Sequence, residues 1–185
     1  MPYLLNSFAI DFKTRPLLFI DLEMTGLDVN LHEIVEIGAL AVGQPDFVIT
    51  NSYYTKVKPL HPQTGDPKSL KLINYSDKDW AGAIPLRQAL IELSQLAPDC
   101  FLAGWCVQNE WDFLNHALQT EHLPYFYDHR LIEVFSLAYA RFHHDPEMEF
   151  ISLPSTARRL GIYLEKHKPD SDIRATYEIF KKLVR

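Results

Sequence analysis

Residues 17–28 read Leu-Leu-Phe-Ile-Asp-Leu-Glu-Met-Thr-Gly-Leu-Asp, and the start of this run decides the fold. Behind Pro16, the apolar residues 17–22 predict a buried strand that ends in two acids, Asp21 and Glu23. Side chains two apart on a strand point to the same side, so both carboxylates leave the sheet together. Carboxylates crowded at the edge of a core repel one another, and a divalent cation relieves that conflict. An isolated Asp-x-Glu is most often a pair of solvated acids at a strand end. Here the apolar lead-in and the sharp Thr25-Gly26 exit place the pair at the rim of a core instead.

Working outward, residues 33–42 (EIVEIGALAV) and 47–57 (FVITNSYYTKV) are β-branched and apolar enough for two more strands. Three strands in succession predict an antiparallel meander. Residues 59–67, dense in Pro and Gly, are a loop, followed by a short helix over 70–75. Apolar spacing predicts a helix over 84–96, a short strand at 101–103, and helices over 110–118, 132–142 and 152–160, the last closed by Gly161. A final helix spans 170–183, with Asp170 or Ser171 as its N-cap and Ile173, Tyr177, Phe180 and Leu183 as its buried stripe. Strands first and then alternating helices and strands give an α/β sheet of mixed direction covered by helices.

A second acidic element precedes that last helix, in His167-Lys-Pro-Asp-Ser-Asp172-Ile-Arg-Ala-Thr176. Pro169 restrains the loop and gives the His167 imidazole a defined approach. Taken alone, such a motif is usually a helix cap beside a surface histidine. His143-His144-Asp145 is a solvated loop rather than a metal cluster, and Trp80, Trp105 and Trp111 read as core before they read as base-stacking platforms.

Together, FIDLEMTGLD and HKPDSDIRAT resemble the first and third motifs of the DEDDh exonucleases, the superfamily that includes ribonuclease T, oligoribonuclease and polymerase proofreading subunits. The resemblance spans residues 17–184 and implies an α/β, ribonuclease H-like fold: a mixed five-stranded sheet flanked by helices. It implies a 3′→5′ exonuclease that hydrolyses single-stranded DNA or RNA with two Mg2+ or Mn2+ ions. Asp21, Glu23 and Asp172 would then be metal ligands and His167 the general base, which suits an imidazole whose unperturbed pKa is about 6.5. Met24, Thr25 and Leu27 would meet the last nucleotide, Leu27 as an apolar wedge against the terminal base.

The family's second motif contributes one more carboxylate from a helix. Its spacing to Gly104 and Phe113-Leu114 selects Glu110, whereas residue identity alone would select Asp112. Two positions apart on a helix point to nearly opposite faces, so only one of them can serve. The wording of the first motif is similar to oligoribonuclease, but residues 51–72 do not follow it. Degradation of very short RNA is therefore the second reading, and a nucleic-acid-binding relative without turnover the third. Homodimers occur among relatives, so a homodimer also belongs to what the resemblance implies.

Composition sets the outer limits. The 185 residues, 47% hydrophobic and 23% charged, suffice for one domain over 1–185 and contain no repeat or low-complexity arm. No stretch approaches the apolar length needed to span a bilayer, and residues 1–21 lack the layout of a signal peptide. Cys100 and Cys106 form no disulfide framework, so a reducing, cytoplasmic setting is expected. A net charge of −6 argues against a long basic track, so recognition is expected to concentrate on the last nucleotides of a single-stranded 3′ end.

Overall fold

The computed structural model describes residues 12–164 and 169–184. The opening run forms β1 (Leu17–Met24), the middle strand of a five-stranded sheet. Its neighbour β2 (Ile34–Gly43) runs antiparallel to it, and β3 (Val48–Lys56) antiparallel to β2, as the meander requires. On the other side lie β4 (Cys100–Gly104) and β5 (Tyr127–Glu133), both parallel to β1, so the order is β3-β2-β1-β4-β5.

A central strand with helices on both faces must be apolar on both, and β1 is. Leu18, Ile20 and Leu22 enter one core with residues of α2 (Leu86–Leu96) and α3 (Gln108–Thr120). Leu17 and Phe19 enter the other with residues of α4 (Val134–Phe142), α5 (Leu153–Arg159) and α6 (Pro169–Leu183). Phe19 meets Tyr177 and Phe180 edge-on, with ring centroids 5.6 and 5.3 Å apart, which fixes α6 beneath β1. Asp21 and Glu23 continue the row that Leu17 and Phe19 begin, so they emerge on the α6 side.

Several expected boundaries move for identifiable reasons. The short helix before residue 75 is α1 (Pro67–Leu72), because Asp66 accepts a hydrogen bond from Lys68 N–H (2.8 Å) and Pro67 occupies the first turn. Residues 132–142 are not one helix. Leu131, Ile132 and Glu133 finish β5, and the Glu133 carboxylate, accepting from Phe135 N–H (3.0 Å), starts α4 only at Val134. Ile84 stays extended, bridged to Val57, and α2 begins after Pro85. Asp170 and Ser171 lie inside α6 rather than capping it. Gly161 follows α5 with φ +67°, the left-handed turn that favours glycine. Trp80 is core, its indole N–H donating to Val35 O at 3.0 Å.

At the end of the sheet where β1, β4 and β5 begin, Arg15 is buried and bonded to Asp128, and pairs with Asp99 at 3.2 Å. Arg130 also clasps Asp128, at 2.8 Å, and these guanidiniums hold the Asp128 carboxyl well below the usual range. Arg15 and Arg130 both lie over the Phe101 ring. The acids of β1 stand at the opposite end.

Candidate active site

Three elements converge where β1 leaves the sheet. Strand β1 brings Asp21 and Glu23, α3 brings Glu110 in its first turn, and α6 brings Asp172. Helix α3 follows β4 through a tight passage. A Cβ on Gly104 would stand 3.1 Å from Ile20 O and 3.0 Å from Val107 Cβ, tighter than ordinary contact, so glycine eases the close passage of β4 beside β1. Cys106 takes a positive φ of 61°, and its N–H is anchored on the Glu133 carboxylate at 2.8 Å.

That turn aims Glu110 inward. The residue is 7% exposed, and its Oε2 has no hydrogen-bond partner among the described residues. Asp112 is exposed and accepts from Gln108 Nε2 at 3.1 Å. Of the two carboxylates that spacing and residue identity offered, Glu110 is the buried one, close enough for its charge to act on Asp21, and Asp112 is exposed to solvent.

The electrostatic influence of these acids on one another is what relates them. Burial lifts the Asp21 carboxyl well above its ordinary range, and the charges of Glu110, Glu23, Asp172 and Glu36 lift it further. Burial, then Glu36 and Asp172, push Glu23 up to about 7. Glu110 rises to about 8 through burial, with Glu133 and Glu23 adding to the rise. Buried acids that raise one another in this way gain most from a cation. The donor set is all oxygen and anionic, with an unpartnered buried oxygen on Glu110, and it suits a hard divalent ion. Among the described residues, no group of three or more His, Cys, Asp or Glu side chains is arranged so that it could hold a metal ion. His167 lies outside the described residues.

Glu36 was not singled out in the sequence. It stands directly across from Glu23 in the β1–β2 register, is 6% exposed, and accepts from the Tyr54 hydroxyl at 2.9 Å. Lys56 lies 4.0 Å away. Burial raises its pKa while Tyr54 and Lys56 work against the rise. Only cross-strand register brings it to the site, and sequence position alone does not reveal register.

The exit from β1 is braced. Thr25 is fully buried, and its N–H and hydroxyl bond Glu33 O and N–H, both at 2.9 Å, while its carbonyl accepts from Asp66 N–H at 2.7 Å. Met24 is half-buried, and Leu27 stands out at 78% exposure. The His32 ring fills the space beside Gly26, where a Cβ would come within 2.5 Å of it, and His32 Nδ1 accepts from Asp28 N–H at 2.9 Å. Away from this region, Asp145 is held by Arg159 at 2.9 Å, in keeping with an ordinary surface loop at residues 143–145.

A ribonuclease H-like sheet with a rim of carboxylates defines the nuclease class of fold. The sequence model of an exonuclease family, RNase T, matches residues 18–180, and the chain belongs to that family, within the DEDDh superfamily. Product-bound exonuclease I is similar in structure, with a TM-score of 0.76 at 15% identity over 92% of this chain and 43% of that one. E. coli exonuclease I in complex with a dT13 oligonucleotide gives 0.72 at 14% identity, covering 91% of this chain and 41% of that one. Cell-death related nuclease 4 (CRN-4) gives 0.76 at 13% identity, covering 93% of this chain and 64% of that one. The chain therefore spans less than half of exonuclease I. No curated protein matches it in sequence.

Proposed function

We propose that the chain is a metal-dependent 3′→5′ exonuclease that removes 5′ mononucleotides from single-stranded DNA or RNA. The observation that carries this reading is the meeting of Asp21, Glu23, Glu110 and Asp172, from three elements, in one mutually destabilising acidic cluster. Membership of an exonuclease family supports it.

In this reading Asp21, Glu23 and Asp172 would hold two Mg2+ or Mn2+ ions, and Glu110 would stand beside them as the fourth acid. The chemistry such ions would supply when bound is a lowered water pKa and compensation of charge on the leaving oxygen. His167 would take a proton from the attacking water. The water oxygen bonds to the terminal phosphorus, the bond from phosphorus to the preceding 3′ oxygen breaks, and that oxygen gains a proton from solvent. Leu27 rests its apolar side chain on the terminal base, while Thr25, committed to Glu33 and Asp66, holds the loop and Met24 in place.

An oligonucleotide labelled at its 5′ end, incubated with Mg2+ or Mn2+, tests the proposal. Stepwise shortening with release of 5′ mononucleotides is expected, and a chelator should abolish it. An unshortened strand, or one trimmed from the 5′ end, would refute the assignment.

A further inference from the structure

The acidic balance of the chain hides an uneven distribution of cations. Five of the ten lysines, Lys56, Lys58, Lys68, Lys71 and Lys78, fall within residues 56–78. Elsewhere many basic side chains are spent on carboxylates: Arg15 and Arg130 on Asp128, Arg159 on Asp145 and Glu147, Lys181 on Glu178. Lys68 and Lys71 are exposed and enter no ion pair among the described residues. Together with Leu72 and Asn74 they line an open cavity of about 430 Å3 on α1. Leu72 is 59% exposed there, so the surface offers two ammonium groups around an apolar floor.

This helix is tied to the candidate site. Its capping residue Asp66 donates its N–H to Thr25 O at 2.7 Å, immediately beyond the strand that carries Asp21 and Glu23. The loop before it is bound as well, with Leu60 and His61 N–H both 2.8 Å from the Glu33 carboxylate. Lys68 lies two residues past the Asp66 anchor, within about 7 Å along the chain, and Lys71 about one helical turn further. Unpaired ammonium groups beside an apolar surface suit a strand that carries both phosphates and bases.

We propose that the Lys68–Lys71 face of α1 is a backbone-binding surface for single-stranded nucleic acid, holding phosphates upstream of the 3′ terminal nucleotide. This rests on the exonuclease reading and gives it a substrate length: several nucleotides rather than two. It replaces the expectation that recognition stops at the last nucleotides.

The test uses the full chain and a nuclease-resistant phosphorothioate 12-mer in Mg2+, with affinity measured across a salt series. Each lost phosphate contact to a single strand lowers the salt slope by about 0.7, so K68A/K71A should lower it by about 1.4 and weaken binding about tenfold. K68R/K71R should keep the wild-type slope, and a dinucleotide should bind both variants as it binds wild type. An unchanged slope in K68A/K71A, no rescue by arginine, or an equal loss on the dinucleotide would overturn the assignment. Mononucleotide release by the wild type is scored separately: its absence would sink the exonuclease reading, while the slope reports on α1 either way.

Discussion

Asp21 on β1 and Glu110 on α3 face each other's charge at the rim of the sheet, and after burial Glu110 is the largest influence lifting Asp21 above its ordinary range. The pair is unfavourable for the bare fold. Glu110→Gln should therefore raise stability in chelator at pH 8 by about 1–2 kcal/mol while lowering metal-dependent nucleotide release. Denaturant unfolding beside a turnover assay checks both signs.

Stability of the metal-free protein should also fall as pH rises. Glu23 and Glu110 ordinarily titrate near 4.5 and are pushed up to about 7 and about 8. The folded state holds these protons more tightly than the unfolded chain does, so stability is highest below pH 4.5 for these two groups. It is lost through pH 7–8 and then levels off. Thermal unfolding from pH 5 to 9 in chelator should show this decline, and added Mn2+ should reduce it by favouring the ionised acids.

The opposite end of the sheet should behave as structure alone. Asp128→Ala leaves Arg15 buried without its main partner, and breaking such a pair costs about 3–5 kcal/mol. A lower denaturant midpoint is expected, with turnover per folded molecule unchanged.

Gly26 should prove to be a packing position. In Gly26→Ala the new Cβ meets the His32 ring, which displaces the turn bearing Leu27 and raises KM more than it lowers kcat. Adding His32→Ala should recover much of the loss by opening the space, and steady-state kinetics of the single and double variants would check this.

What could be read in the sequence follows from what packing requires locally. Strand β1 was legible because a strand covered on both faces is apolar throughout, so its two acids stood out at once. Glu110 was legible only as one of two choices, and what tells the two carboxylates apart is burial, which depends on packing around α3 rather than on spacing. Strand β5 was hidden because Leu131 and Ile132 run straight into the apolar spacing of α4, and one carboxylate, Glu133, marks the change. Glu36 was illegible because its neighbour Glu23 is set by pairing between strands. The segment with His167 is read from its motif alone.

The central claim is that acids from three elements act as one centre. Its most direct measurement is kcat/KM on an end-labelled single strand for Asp21→Asn, Glu110→Gln and Asp172→Asn, with Asp112→Asn as control. The account predicts losses on the order of 100-fold or more in the first three and wild-type activity in the control. Undiminished release in Asp21→Asn, or a comparable loss in Asp112→Asn, would contradict it.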